Sequence, residues 1–277
     1  MPQHISDCTR LNNGVLMPWF GLGVWKAKDG DEVRQAVRTA IELGYRSIDT
    51  AAVYGNETGV GEAVAECGIP RDQLFITTKV WNEHQGYEST LRAFEESRQK
   101  LRLDYVDLYL IHWPVKGKYI DTWKALQKLY KEGYVRAIGV SNFHEHHLQA
   151  IMADGEIVPA VDQVEYHPRL AQTELLRFCN DHGIQMEAWS PLMQGKLLDH
   201  PLLADIAAKY GKSVSQVILR WDLQNGVVTI PKSVNPGRIA QNADIFDFEL
   251  AAEDMEAING MNTGERVGTN PNQFDEQ

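Results

Sequence analysis

Cysteine is scarce in this chain. Its 277 residues include three, Cys8, Cys67 and Cys179, widely separated and odd in number. That argues against a disulfide framework and fits a reducing, cytoplasmic setting. Positive charge is also in deficit: 27 Lys and Arg stand against 38 Asp and Glu, a formal net charge of −11. So acidic a chain has no general attraction to nucleic acid or an anionic membrane, and a polyanionic ligand must find a local basic patch. No apolar run is long enough to span a bilayer, and Met1-Pro2-Gln3-His4 lacks the charged-then-apolar pattern of a secretion signal. Without that signal the glycosylation pattern Asn56-Glu57-Thr58 carries no meaning. No Gly-x-Gly-x-x-Gly follows a strand and opens a helix. Phe20-Gly21-Leu22-Gly23 lacks the third glycine, and there is no Walker-type loop, so a Rossmann domain is not supported. No Cys/His set has zinc spacing. His144-x-His146-His147 reads as an exposed group opening a helix, with no resident metal.

What is present is ordinary globular composition, 43% hydrophobic and 23% charged, enough for a large core in one domain over 1–277. Thr9–Leu11 and Val15–Met17, joined by Asn12-Asn13-Gly14, read as a β-hairpin. Eight short apolar strands follow: Phe20–Gly23, Ser47–Asp49, Phe75–Lys79, Val106–His112, Ala137–Ser141, Val161–Glu165, Gln185–Trp189 and Val227–Ile230. Amphipathic stretches such as Asp31–Leu43, Tyr87–Leu101, Thr122–Glu132 and Gln172–His182 separate them, with apolar residues at three- and four-residue steps. The alternation predicts an α/β fold, a (β/α)8 TIM barrel. Leu202–Tyr210, Ser213–Gln224 and Ala251–Met261 add extra helices near the C-terminus.

Polar residues collect at three consecutive strand exits: Asp49, then Tyr54 five residues on, Lys79, and His112. Taken singly, each has a bland explanation: a helix cap, a packing ring, a satisfied core histidine. A lysine at the end of an apolar strand needs a partner if buried. In a parallel barrel such residues converge at the carboxyl ends of the strands. Together they suit reduction of a carbonyl, because hydride addition leaves an alkoxide that needs a proton. Tyr54 would donate it, Lys79 would lower the tyrosine's pKa, Asp49 would hold Lys79, and a neutral His112 would orient the substrate oxygen. Trp25, Trp81 and Trp113 each lie just past an exit and would wall an apolar pocket with Tyr54 and His112.

The later exits suggest a nucleotide site. Ser141 and Asn142 end the fifth strand, and Gln163 lies on the sixth. Trp189 ends the seventh as a stacking surface, followed by Ser190 and Leu192. After the eighth come Lys232, Ser233 and Arg238, then Gln241 and Asn242, an anion site near a helix N-terminus.

These residues resemble the aldo-keto reductases over essentially the whole chain. Three patterns carry the resemblance: Gly44-Tyr45-Arg46-Ser47-Ile48-Asp49-Thr50-Ala51 with Glu57 and Gly61, Ile138-Gly139-Val140-Ser141-Asn142-Phe143, and Ile230-Pro231-Lys232-Ser233 with Arg238, Gln241 and Asn242. Within that family the chain is similar to the short bacterial glyoxal/methylglyoxal and 2,5-diketogluconate reductases and to trypanosomatid prostaglandin F synthases. The resemblance implies an NADPH/NADP+-dependent carbonyl reductase with Asp49, Tyr54, Lys79 and His112 as catalytic tetrad. It implies that Ser141, Asn142 and Gln163 bind the carboxamide and that Trp189 stacks under the nicotinamide. Lys232, Ser233 and Arg238 would take the adenosine 2′-phosphate, with Ser190, Leu192, Gln241 and Asn242 as further cofactor contacts. It also implies a small-molecule carbonyl substrate; nothing in the sequence suggests an obligate partner, so a monomer is the default expectation. Only Thr263–Gln277 follow the last helix, so the loop of longer relatives is truncated and the pocket is expected to be more open.

Three other readings compete. One is prostaglandin F synthase-type activity. Another is a nucleotide-binding redox sensor with little turnover. The third is a barrel hydrolase using Asp49 and Glu165 as a carboxylate pair, which leaves Lys232, Arg238 and Trp189 unexplained.

Overall fold

The computed structural model describes residues 1–274; the end of the expected tail, 275–277, lies outside the described residues. Two short strands, β1 (Cys8–Arg10) and β2 (Leu16–Pro18), pair antiparallel ahead of everything else. The expected hairpin is therefore present, with both strands displaced by one residue. Leu11 and Val15 close the loop instead, the Leu11 N–H donating to the Val15 carbonyl at 2.9 Å.

Eight parallel strands form the sheet: β3 (Gly21–Gly23), β4 (Ser47–Asp49), β5 (Phe75–Val80), β6 (Val106–Ile111), β7 (Val135–Ser141), β8 (Val161–Glu165), β9 (Gln185–Trp189) and β10 (Val228–Thr229). They are hydrogen-bonded in sequence order, and single bridges Phe20–Thr229 and Gly23–Lys232 close the ring. Every residue of β5 and β6 is buried, as strands covered on both faces must be. Between the strands run α1 (Asp31–Glu42), α2 (Glu57–Glu66), α3 (Tyr87–Leu101), α4 (Tyr119–Lys131), α5 (Glu145–Asp154) and α6 (Thr173–Asp181). Two helices, α7 (Pro201–Tyr210) and α8 (Val214–Gln224), precede β10, and α9 (Pro236–Ala243) and α10 (Ala252–Asn259) follow it. The expected (β/α)8 barrel with extra late helices is what forms. No described helix is long and apolar enough to cross a membrane.

Local sequence explains the helices. In α1, Val33, Ala36, Val37, Ala40 and Ile41 make one buried stripe, and Asp31 and Glu32 complement the positive helix start. Ser213 caps α8 through a reciprocal box with Gln216.

Two cores result. The larger lies between sheet and helices. The smaller fills the barrel with Phe75, Leu108, Leu110, Ala137, Val161 and Val228, and Leu11 and Met17 from the hairpin plug its lower end. Gly139 sits where β7 and β8 approach closely; a Cβ there would stand 2.4 Å from the Val161 carbonyl oxygen. By the two-residue pleat, Phe75, Thr77 and Lys79 share the inward face of β5. The barrel interior thus changes from apolar to polar toward its carboxyl end.

The histidine group departs from expectation. His146 is exposed, but His144 is half-buried and His147 fully buried. The reason is capping: the His147 ring accepts the His144 N–H at 3.0 Å at the start of α5, and Phe143 and Tyr119 pack against it. No metal-holding group of His, Cys, Asp or Glu occurs among the described residues.

Candidate active site at the carboxyl ends of the strands

Lys79 is the centre of the site. Its side chain is completely buried. Its ammonium donates to Asp49 Oδ1 at 2.6 Å, to the Thr50 carbonyl at 2.9 Å and to the Tyr54 hydroxyl at 3.4 Å. Burial works to discharge the lysine, but Asp49 and then Tyr54 outweigh it and hold its pKa above the ordinary value.

Tyr54 stands on a single 3-10 turn, Ala52–Tyr54, after β4. That loop is fixed by the buried Asn56 amide, which donates to the carbonyls of Val24 and Ala27 and accepts from the Thr50 hydroxyl. The Tyr54 pKa is raised, which corrects the expectation from sequence. Burial raises it more than the Lys79 cation lowers it, and Asp49 adds to the rise.

His112 lies just past β6, with its ring edge-on to Tyr54 at 5.8 Å and to Trp81 at 5.2 Å between centroids. Burial first, then Lys79, hold its pKa well below the usual value, so the imidazole is neutral. The expected tetrad and Trp81 therefore share one cluster. Trp113 is stacked on Phe274, 5.0 Å between centroids. Trp25 is exposed, with the Lys26 ammonium 4.1 Å above its ring.

The candidate cofactor residues form a second, linked network. Asn142 and Ser190 sit at strand exits in left-handed conformations (φ 64° and 49°), which are uncommon for non-glycine residues. The Asn142 amide donates to the His112 carbonyl at 3.0 Å and accepts the Trp189 indole N–H at 2.8 Å. This fixes the half-buried Trp189 ring at the mouth. Ser141 donates its hydroxyl to the Gln163 carbonyl at 2.7 Å. Gln163 turns inward, its Nε2 donating to Asp49 Oδ2 at 2.7 Å and to Glu187 Oε2 at 2.8 Å. With that nitrogen committed, only its Oε1 remains to accept from a ligand amide. Leu192 is half-buried beside this turn.

On the far side, Lys232 and Arg238 are exposed and make no ion pair with a described residue. The Ser233 hydroxyl accepts the Asn235 N–H, and Asn235 caps α9 by accepting the Arg238 N–H at 3.0 Å. Gln241 is exposed and Asn242 buried on the same helix. A fixed flat ring, an inward amide and two unpaired cations in a chain of net charge −11 fit a nicotinamide dinucleotide phosphate.

Two features escaped the sequence reading. Glu187 is fully buried on β9, in register with Gln163. The signal was present: a carboxylate two residues before Trp189 in a buried strand. The second is the tail. Short as it is, it returns to the mouth, where Val267 and Gly268 N–H groups donate to Glu165 at 2.6 and 3.0 Å and Phe274 covers Trp113. Glu165 is also bonded to His167 at 2.9 Å, so its carboxylate latches the tail. That removes it from the carboxylate pair of the hydrolase reading. A depression of about 570 Å³ at the opposite end of the barrel, lined in part by Cys8, Arg46 and Arg136, contains none of these residues.

The comparisons with known proteins agree with this geometry. The model of the aldo/keto reductase family matches residues 19–263. A glyoxal reductase of Bacillus subtilis is 63% identical over 274 residues, covering 99% of both chains. A 9,11-endoperoxide prostaglandin H2 reductase of Trypanosoma cruzi is 54% identical over 97% of this chain and 96% of its own. The crystal structure of a Bombyx mori aldo-keto reductase in complex with NADP superposes with a TM-score of 0.92 at 39% identity, covering 100% of this chain and 98% of that one. The chain belongs to the aldo/keto reductase family.

Proposed function

We propose that the chain reduces aldehydes and ketones to alcohols with NADPH, small dicarbonyls such as methylglyoxal foremost, and that Tyr54 is the proton donor. One observation carries the reading: a fully buried Lys79 joins the Tyr54 hydroxyl to Asp49 beside a neutral His112. The 63% identical glyoxal reductase supports the substrate class.

NADPH, when bound, supplies the hydride. Lys232, Ser233 and Arg238 would hold its phosphate, Trp189 would face its nicotinamide ring, and Gln163 would accept from its carboxamide. The chain's own residues manage the proton. The raised pKa keeps the Tyr54 hydroxyl protonated at neutral pH, so the acid is always loaded. As negative charge grows on the substrate oxygen, that proton moves across, and the Lys79 cation, 3.4 Å away, stabilises the phenolate left behind. Asp49 fixes the lysine in place. His112, neutral, donates a hydrogen bond to the same substrate oxygen and orients it. Trp81 shields the cluster from water on one side.

The same reading takes the enzyme as a cytoplasmic monomer of one domain over 1–277, without nucleic-acid or membrane partners. The net charge of −11 and the free cysteines support it. The test is NADPH oxidation with methylglyoxal and with an aromatic aldehyde, beside Tyr54→Phe. Turnover lost in the variant supports the reading. Absence of turnover in the unaltered enzyme, with NADPH still quenching tryptophan fluorescence, would leave a binding module instead.

A further inference from the structure

Two buried carboxylates share one amide. The Gln163 Nε2 donates both to Asp49 and to Glu187, at 2.7 and 2.8 Å. Asp49 has Lys79 as its ion-pair partner; Glu187 has no ion pair among the described residues. Its second oxygen, Oε1, is buried and has no hydrogen-bond partner there either. A carboxylate so placed is expensive to ionise. Burial first, and the charge of Asp49 second, push the Glu187 carboxyl up to about 8. A structural anchor for Gln163 needs only an acceptor, which a neutral amide would provide. An acid with one oxygen left bare is a choice that sequence economy does not require.

We propose that Glu187 is a positioning residue for the proton transfer by Tyr54, setting through the Gln163 amide the charge that stands behind the Asp49–Lys79 pair. The proposal rests on the reading of Tyr54 as the acid. In the transfer, the phenol O–H bond breaks, the alcohol O–H bond forms, and the phenoxide keeps the electron pair. The buried set then holds the Lys79 cation, the Asp49 anion and the Tyr54 phenoxide. With Glu187 neutral this set carries one net negative charge; with Glu187 ionised it carries two. The second charge opposes the phenoxide, and Glu187 does act on Tyr54 in that direction. The titratable groups facing Glu187 are Asp49 on β4 and Lys79 on β5, with Tyr54 beyond them. On its neighbouring strands Gln163 and Val228 stand in register with it, and neither ionises.

The deciding experiment pairs two readouts. The first is the single-turnover rate of methylglyoxal reduction by NADPH-loaded enzyme from about pH 6 to about pH 10, which isolates the chemical step from product release. It is run on the unaltered enzyme, Glu187→Gln, Glu187→Asp and Tyr54→Phe. The unaltered enzyme should slow roughly three- to tenfold as Glu187 ionises. Glu187→Gln should keep its acid-side rate through that range, and Glu187→Asp should restore the fall. The second readout is the infrared absorption of protonated carboxyls in the cofactor-free protein. The component missing from Glu187→Gln should vanish over the same pH range, while the buried Asp162 and Asp222, also held well above the usual carboxylate range by burial, contribute the rest. The proposal is overturned if Glu187→Gln slows with pH as the unaltered enzyme does, including the case where it is uniformly slower with an unchanged profile. If Glu187→Gln does not fold, the infrared titration of the unaltered protein decides: the absence of any carboxyl component that titrates with the rate overturns it. Full turnover by Tyr54→Phe is a separate failure, that of the acid assignment itself.

Discussion

Glu165 Oε2 accepts the backbone N–H of Gly268 at 3.0 Å, tying the end of β8 to a segment 103 positions later in the chain. A Cβ on Gly268 would stand 2.4 Å from Trp189 Cη2, so glycine lets the tail lie against the ring. The mouth of the barrel is therefore built partly by residues beyond the last helix.

Replacing Glu165 with alanine should free that tail. Charge-assisted hydrogen bonds contribute about 1.5–3 kcal/mol each. Losing the bonds to Val267 and Gly268 together should raise the population of the open segment roughly 10²- to 10⁴-fold. Trypsin cleavage after Arg266 would report it. An unchanged cleavage rate would mean that the latch does not hold the segment. Burial acts to raise the Glu165 pKa, but His167 and the two backbone N–H groups lower it below the ordinary value. The latch is thus fully present above the unfolded value of about 4.3, and is lost only as pH falls through the lower folded value.

Tyr54→Phe keeps the ring and removes the hydroxyl. The rate should fall about 10²- to 10⁴-fold, the usual size of a general-acid contribution. NADPH binding, read from tryptophan quenching, should stay unchanged because none of the candidate cofactor residues bonds to that hydroxyl in the structure.

Lys79→Met leaves Asp49 buried without its cation. Removing one member of a buried pair costs about 3–5 kcal/mol, which urea denaturation would measure as a lower midpoint. Adding Asp49→Asn should recover part of the loss; a strictly additive double variant would show that the two groups do not interact. The raised pKa of Lys79 means the pair's stabilisation is complete below about pH 10.4 and is lost as pH rises through the folded value.

Lys232→Ala and Arg238→Ala should each weaken NADPH about 10- to 100-fold, if each removes a charged phosphate contact as proposed. NADH, lacking the 2′-phosphate, should lose much less. Equal losses for both cofactors would place the cations elsewhere on the dinucleotide.

His112 is held neutral, its pKa well below the ordinary value because of burial and Lys79. Below about pH 6.5 the unfolded chain takes up a proton that the folded one refuses. Stability therefore declines with acidity in that range, while the rate should show no acid limb near pH 6.5. A rate that halves there would mean that the ring titrates normally.

The barrel itself was legible because its signals are local. Continuous apolar runs such as Phe75-Ile76-Thr77-Thr78-Lys79 mark strands buried on both sides, and α3 runs from Tyr87 to Leu101 as its periodicity predicts. The hairpin slipped by one residue because two-residue alternation does not say which loop residue closes the turn; Leu11 and Val15 do. The histidine group failed for a related reason. Spacing shows that His144 and His147 are close, but the burial of His147 depends on Phe143 and Tyr119 meeting over it.

Sequence alone determined which side chains reach the mouth. Strand pleat and parallel order put Asp49, Lys79, His112, Ser141, Gln163 and Trp189 at one end of the barrel, whatever their later partners. Only the tertiary structure decided how their polar atoms pair. Gln163 faces two carboxylates, Glu165 faces a returning tail, and the Tyr54 hydroxyl sits where burial outweighs a nearby cation. The choice among competing partners turns on differences of under an ångström between elements far apart in sequence, and on the water each burial excludes. Neither quantity is written in residue spacing.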